Sequence, residues 1–205
     1  MELNIIGLLI SFGLLMIAMT VHEFAHGWVA YRLGDTTAKY SGRLTLNPLA
    51  HIDPIGTVLL PLILFIVTQG RFVFGAAKPI PINYWALKNP KKDMIWIGLS
   101  GPLANFILAF LLSTLLKLIP TSLIMQFVFK NLIFINVILG VFNLIPIPPL
   151  DGSRILMGIL PQGLASRYSA IEPYGFIIVI LLVVLGALEH TVWPLVRLIL
   201  RFLNI

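Results

Sequence analysis

Two histidines and a glutamate at helical spacing are the residues of this chain best suited to metal-assisted chemistry. His22 and His26 are four positions apart, so on an α-helix they lie about 40° apart around the axis and roughly 6 Å apart along it. Both imidazoles can therefore reach one tetrahedral ion such as Zn2+. Glu23 lies on the adjoining surface, where its carboxylate could take a proton from water at the metal and pass it to a leaving amine.

The sequence around this motif favours metal binding over a structural role. The residues from Leu3 to Val21 include no charged residue, and placing two histidines and a glutamate at the end of such a segment is expensive without a partner or a function. In a long soluble helix the same pentapeptide would be structural about as often as functional. At the end of a membrane-length segment, the metal-binding interpretation is the stronger one.

A hydrolytic zinc site needs a third protein ligand and keeps one further position for water. Asp151 is the strongest candidate because it ends an apolar segment in a stretch, 146–149, whose prolines prevent a regular helix and hold extended chain at membrane depth. Gly152 permits an abrupt turn beside the carboxylate. The alternative is an ordinary loop with a solvated aspartate. The other candidates by chemistry are His51, Asp53, Glu172, Asp35, Asp93, Glu189 and His190.

The composition predicts a polytopic membrane protein. Of the 205 residues, 59% are hydrophobic and 11% are charged, and the mean hydropathy is +0.99. Five segments without Asp, Glu, Lys, Arg or His reach or approach the length of about 20 residues that crosses a bilayer; they are 3–21, 54–70, 94–116, 131–150 and 173–188. The net charge of +6 fits basic cytoplasmic loops better than nucleic-acid binding, and the absence of cysteine excludes disulfides and thiolate metal sites.

The basic residues predict a re-entrant segment. Ten of the fourteen fall in the connections after the first, second and fourth apolar segments, and the positive-inside rule would place all three connections in the cytoplasm. A single crossing by 54–70 would put its two flanking loops in opposite compartments. We therefore expect 54–81 to form a short helix to about Thr68 followed by extended chain from Phe72 to Pro81. Such chain must be shielded or line a wet cavity, and its edge could accept a substrate strand.

The expected fold is all-α. It contains about five membrane-embedded helices, the re-entrant helix and extended segment, and a C-terminal interfacial helix over Thr191–Ile205. Segment 94–116 and a helix over roughly 123–144 should pair as a helical hairpin. The first and fourth segments then both run toward the cytoplasm. His26 and Asp151 are thus expected at similar depth, in the cytoplasmic half of the membrane.

Three motifs together resemble the site-2 protease family of intramembrane zinc metalloproteases. They are His22-Glu23-x-x-His26, Gly101-Pro102-Leu103-Ala104-Asn105 and Asn143-x-x-Pro146-x-Pro148-x-Leu150-Asp151-Gly152, and their order and spacing extend over most of the chain. The resemblance implies that His22, His26 and Asp151 bind zinc, that Glu23 is the catalytic acid/base, and that Asn143 contacts the substrate backbone. It also implies regulated cleavage within or beside a transmembrane segment of a membrane protein, commonly a single-span signalling protein.

The chain departs from better-known branches of that family in two ways. It has no room for a PDZ or CBS domain, and it carries an insert at 47–56 together with the apolar segment that follows. The insert resembles a compact bacterial subgroup. We expect residues 1–205 to form a single membrane-embedded metalloprotease domain, multi-pass in the cell membrane, that binds no nucleic acid and could form a homo-oligomer.

Several interpretations stay open at this point. His51 could support the metal site, gate water or bind the metal in one state, although a capping or loop role is favoured. Asn105 could hydrogen-bond across helices near the site, although a packing seam with small residues of the same segment is favoured. These small residues are Gly98, Ser100, Gly101 and Ala104. The alternative functions are a metal or proton transporter, which would use the same His and carboxylate groups as a relay, and a non-catalytic scaffold.

Overall fold

The protein is a bundle of helices of unequal length. The computed structural model describes residues 5–67, 75 and 77–205, and the described residues include no strand. The helices are α1 (Ile5–Arg32), α2 (Thr37–Tyr40), α3 (a π-helical turn over Pro54–Leu59 that continues as α-helix over Leu60–Val67), α4 (Pro90–Leu118), α5 (Leu123–Asn143), α6 (Asp151–Ile159), α7 (Gln162–Ser169), α8 (Gly175–Val184) and α9 (Ala187–Leu203). Short 3-10 turns cover Pro48–His51, Tyr84–Ala86 and Glu172–Tyr174.

Helix α4 is the centre of the bundle and packs against α1, α5 and α6. One core cluster joins Ala109 of α4 to Ile133 and Val137 of α5 and to Val196 of α9. The predicted α4–α5 hairpin is present, because Pro120 cannot continue α4 and the Ser122 hydroxyl accepts the Met125 N–H at the start of α5.

The chain is a multi-pass membrane protein. Four described helical segments are long and apolar enough to cross a membrane: Leu9–Arg32, Pro90–Leu118, Leu123–Asn143 and Gln162–Val184. The last of these joins α7, a 3-10 turn and α8. Apolar side chains such as Leu9, Phe110 and Phe127 are exposed on the outside of the bundle, as expected for surfaces that face lipid. The predicted all-α polytopic class is therefore confirmed.

The segment predicted to re-enter the membrane begins with α3. Residues 68–74 and 76 lie outside the described part of the chain, and so does the predicted start of the extended stretch at Phe72. Residues 77–83 are non-helical. The Lys78 N–H donates to the His51 carbonyl at 2.9 Å, and Gly75 lies so close to α3 that a Cβ on it would be 2.8 Å from Pro61 Cγ. The chain after α3 thus comes back beside the residues that precede α3.

The C-terminal helix, α9, starts earlier than the sequence predicts. Gly186 adopts a left-handed conformation with φ of 70°, and α9 follows from Ala187. Val196 is fully buried, and the Ser113 hydroxyl of α4 donates to the Leu203 carbonyl at 2.8 Å. The other face exposes Leu195, Leu198 and Phe202. One side of α9 is therefore part of the bundle core, and its interfacial position stays a prediction.

Candidate metal centre

Helix α1 directs both motif histidines into the bundle, where they meet an aspartate from α6. His22 and His26 are 5% and 2% exposed, and their Nε2 atoms are 3.0 Å apart. Asp151 Oδ2 lies 2.9 Å from His22 Nε2 and 3.1 Å from His26 Nε2. The structure thus brings together the three residues predicted to bind zinc. Among the described residues, His22, His26 and Asp151 form a group whose possible ligand atoms all lie within 4.8 Å of one another, close enough to hold one metal ion.

Two glycines let the backbone carry Asp151 to this point. A Cβ on Gly152 would collide with the carbonyls of Leu144 and Ile145, which precede the turn. A Cβ on Gly98 of α4 would lie 3.0 Å from the Asp151 carbonyl. The stretch after α5 can therefore turn back sharply, and the start of α6 can pack directly on the α4 backbone.

The three side chains fit a zinc ion. Two imidazoles and one carboxylate form a donor set of catalytic zinc sites, which keep a position for water. The two histidine Nε2 atoms and Asp151 Oδ2 are 2.9 to 3.1 Å apart. At these distances their electron pairs repel one another unless a proton or a cation lies between them. Beside them, a Cβ on Gly101 would lie 2.5 Å from His26 Nε2 and 2.6 Å from His22 Nε2. Glycine therefore leaves open the space next to the donors.

Electrostatics keep the aspartate ionised. Burial opposes charge on the Asp151 carboxyl, but the adjacent His26 and His22 imidazoles, when they carry a positive charge, outweigh burial and lower the pKa of this carboxyl well below its usual range. The Arg154 guanidinium adds a contact of 3.3 Å from Nη1 to Asp151 Oδ1. An ionised carboxylate is the form that a metal ligand requires.

Each histidine is oriented through its other ring nitrogen. His22 Nδ1 lies 2.6 Å from Asn105 Oδ1, and His26 Nδ1 lies 2.7 Å from the Ile97 carbonyl. The Ser100 hydroxyl donates to the same Ile97 carbonyl at 2.7 Å. Oxygen partners at Nδ1 leave the Nε2 electron pairs free for a metal. Asn105, which is fully buried, thus contacts a predicted ligand directly, as in the less favoured of the two expectations for this residue. Gly98 lies against α6 and Gly101 against the two histidines of α1, so small residues of α4 also allow close packing.

Glu23 lines the same cavity as His22, His26 and Asp151. It is held by the non-helical residues that follow α3, 75 and 77–83, which we call the returning chain. Its Oε2 accepts the Ile80 N–H at 2.9 Å. The cavity has a volume of about 230 Å3, and its polar lining includes Glu23, Asn143, Asp151 and Arg154. The Asn143 side chain donates to the Leu139 carbonyl at 2.9 Å. A mainly apolar cavity with a few convergent polar groups is typical of a binding or catalytic site.

The remaining ligand candidates have structural roles or lie apart from the histidine pair. Asp35, Asp53 and Asp93 accept backbone N–H groups of Asn83 at 2.6 Å, Gly56 at 2.6 Å and Asn89 at 2.8 Å respectively. Glu172 and His190 are exposed, and the side chain of Glu189 is outside the described part.

His51 serves its own loop and the returning chain. The residue is fully buried, its Nε2 lies 2.9 Å from the Thr45 carbonyl, and its Nδ1 has no hydrogen-bond partner among the described residues. Its main-chain carbonyl accepts the Lys78 N–H. This placement accounts for a loop role, and His51 is not part of the group of converging ligand atoms.

Three groups at this site were not among the predicted site residues. Arg154 could have been found, because a residue three positions after Asp151 on a helix returns to the same face. Asn136, whose Oδ1 accepts a hydrogen bond from Asn105 Nδ2 at 2.7 Å, carried a weaker signal, an amide in the middle of an apolar segment. The Ile80 N–H carried none, since a main-chain donor has no sequence signature.

Known proteins match most of this chain. The model of the family described as Peptidase family M50 matches residues 10–130 and 117–186. "Putative zinc metalloprotease YwhC" of Bacillus subtilis is 39% identical over 192 residues, which cover 89% of this chain and 84% of that protein. "Putative zinc metalloprotease Rip2" of Mycolicibacterium smegmatis is 32% identical over 191 residues, covering 92% and 71%. "Zinc metalloprotease MJ0392" of Methanocaldococcus jannaschii is 27% identical over 153 residues, covering 75% and 35%. No solved structure matches the chain.

Proposed function

The chain belongs to peptidase family M50, and on that premise we propose that it is an intramembrane zinc endopeptidase of the site-2 type. It hydrolyses a peptide bond within or beside a transmembrane segment of another membrane protein. The observation that carries this proposal is the convergence of His22, His26 and Asp151 beside the Glu23 carboxylate, inside a bundle of membrane-length helices.

The ligand set consists of His22 Nε2, His26 Nε2 and Asp151 Oδ2, which lie within 3.1 Å of one another. When bound, Zn2+ supplies Lewis-acid chemistry: it polarises a carbonyl oxygen and lowers the pKa of a water molecule. Asn105 and the Ile97 carbonyl keep the two imidazoles facing the site. Arg154 holds the second oxygen of Asp151.

Glu23 moves the protons. Its Oε2 accepts the Ile80 N–H, which leaves Oε1 available to take a proton from the attacking water. The same carboxyl then gives the proton to the nitrogen of the departing amine, which restores the carboxylate. The Ile80 hydrogen bond keeps this carboxylate at the cavity wall while its protonation state changes.

The substrate lies in extended form between the returning chain and α5. A transmembrane helix hides its carbonyls in internal hydrogen bonds, so it must unwind locally before attack. Asn143 lines the same cavity as Gly75, Ala77 and Pro79, and its amide can hydrogen-bond to exposed substrate backbone. The returning chain is non-helical where described, which supports its use as a docking edge.

The site opens in the cytoplasmic half of the membrane. Basic residues collect on the elements that bear or orient the ligands: Arg32 ends α1, Lys91 and Lys92 lie in the first turn of α4, and Arg154 lies in α6. The positive-inside rule assigns that end to the cytoplasm. A single-span signalling protein, whose released fragment would enter the cytoplasm, fits such a position.

Reconstitution tests this function directly. The purified protein is placed in liposomes with candidate single-span proteins, and the cleavage site is mapped by mass spectrometry. Wild type should cut, and chelation should stop cutting until Zn2+ is restored. Glu23→Gln should retain zinc but lose cleavage by at least about a hundredfold, and Asn143→Ala should slow cleavage. The exposed Glu172→Gln is the matched control and should cut like wild type.

The outcomes separate protease from transporter. A transporter would move Zn2+ or protons across the same liposomes, would lose flux in Glu23→Gln, and would cut no substrate. Cleavage that survives in Glu23→Gln would contradict the role of that carboxylate, and unchanged cleavage in Asn143→Ala for every substrate would contradict the substrate contact.

A further inference from the structure

A row of buried amide groups leads from the metal site across three helices. Asn105 of α4 places its Oδ1 2.6 Å from His22 Nδ1 of α1, and its Nδ2 donates to Asn136 Oδ1 of α5 at 2.7 Å. The same Nδ2 donates to the Ala18 carbonyl at 3.2 Å, and Asn136 Nδ2 donates to the Leu132 carbonyl at 2.8 Å. Both asparagines are fully buried.

The two main-chain carbonyls fix the direction of every hydrogen bond in this row. The Leu132 carbonyl can only accept, so the Asn136 amide directs its NH2 to it and its oxygen toward Asn105. Asn105 must then donate to Asn136 and the Ala18 carbonyl, which leaves its own oxygen for His22. Because that oxygen can only accept, His22 carries its proton on Nδ1. In the neutral imidazole, which is the form that binds a metal, Nε2 then presents an electron pair to the site.

We propose that Asn136 is a positioning residue of the metal centre. Acting through Asn105, it holds the His22 imidazole in the tautomer and orientation that bind the ion, and so it raises zinc affinity. The inference rests on the proposed ligand role of His22. Without the Asn136 oxygen, the Asn105 NH2 keeps only the 3.2 Å contact to Ala18 and can turn. Partners behind a metal ligand typically contribute about ten- to a hundredfold in affinity.

A purely structural role for Asn136 predicts something different. Amide pairs between membrane helices also stabilise packing, and such a role would change the unfolding temperature without changing metal affinity. Asn131 provides the matched control on the same helix. Its Nδ2 donates to the Phe127 carbonyl at 2.8 Å, the same type of bond to the residue four positions earlier. Unlike Asn136, Asn131 is not fully buried, and no hydrogen bond among the described residues joins it to the site.

The experiment measures zinc binding to the full-length protein in detergent. Zinc is removed, Zn2+ affinity is determined by competition with a chromophoric chelator, and the visible spectrum of the Co2+-loaded protein reports ligand geometry. Asn136→Leu and Asn136→Ala should each raise the zinc dissociation constant about tenfold and alter the Co2+ spectrum. Asn131→Leu should bind like wild type. Asn136→Asp, which keeps an oxygen toward Asn105 in either protonation state, should restore most of the affinity.

Wild-type affinity and spectrum in Asn136→Ala would overturn the proposal, and so would an equal loss in Asn136→Asp. Asn136→Ala adds no bulk, so it answers the question even if the leucine variant fails to fold. His22→Ala separates the two levels of inference. If it still binds zinc stoichiometrically, the proposed ligand set is wrong; if it does not, a wild-type result for Asn136→Ala refutes the positioning role alone.

Discussion

At the scale of single residues, the fact that residue 101 is a glycine, without a side chain, matters as much as the identity of the ligands. Gly101→Ala would put a methyl group within 2.6 Å of both histidine Nε2 atoms, in the space beside the three donors. Because alanine is a better helix former than glycine, α4 itself should tolerate the change. We expect the purified variant to hold less than about a tenth of the wild-type zinc, since overpacking here forces the ligands apart.

Zinc content measured by mass spectrometry after purification checks this prediction. Gly13→Ala in α1 is the control, because a Cβ there meets nothing within 4 Å, and it should retain full zinc. Wild-type zinc in Gly101→Ala would mean that the ion lies elsewhere than beside this glycine.

The residues of the site were predictable from sequence only where one short segment carries the signal. His22, Glu23 and His26 share one helical turn, and Asp151 follows a proline-rich break that marks a special turn. Asn136 is different, because its role depends on the packing of α5 against α4, which brings it within 2.7 Å of Asn105. Spacing within one segment is visible in a sequence, whereas contact between two apolar helices is not.

At the scale of elements, the returning chain holds the proposed catalytic base. Ile80 precedes Pro81, which already restricts Ile80 to extended backbone. Ile80→Pro therefore removes the N–H that reaches Glu23 Oε2 with little change in chain path. We expect kcat for cleavage to fall about tenfold or more, because a base that loses its positioning partner is displaced from the attacking water. Zinc binding should be unchanged.

Ile80→Ala controls for the side chain, which is 5% exposed and lies against Gly27 of α1. This variant loses packing but keeps the N–H, so it should retain a higher kcat than Ile80→Pro. Steady-state cleavage in liposomes distinguishes the two. Equal rates in both variants would assign the effect to packing rather than to the hydrogen bond.

Elements differed in how well the sequence predicted them. The ends of α4 and α5 were predicted to within a few residues, because both are long apolar segments and Pro120 and Ser122 mark the break between them. Helices α6 and α7 were not predicted, because 151–169 lacks a long apolar period and α6 is stabilised by backbone packing on α4 at Gly98. The start of α9 was missed because the sequence alone does not reveal that Gly186 adopts a left-handed conformation.

At the scale of the whole molecule, orientation in the membrane decides which side receives the cleaved fragment. Helix α7 belongs to the same end of the bundle as the metal centre, since the Tyr168 hydroxyl donates to the Pro146 carbonyl at 2.7 Å. The α4–α5 connection at Thr121 lies one membrane-length helix away from the start of α4. Lys88 and Arg167 should therefore face the cytoplasm, and Thr121 should face the opposite side.

The chain contains no cysteine, so single cysteines report this orientation without background. Lys88→Cys, Arg167→Cys and Thr121→Cys are expressed in bacterial cells and treated with a membrane-impermeant maleimide, with the cysteine-free parent as control. We expect intact cells to label only Thr121→Cys, and opened membranes to label all three. Labelling of Arg167→Cys in intact cells would place the chain beside Asp151 outside. The proposed release of substrate fragments into the cytoplasm would then be wrong, even with the metal centre intact.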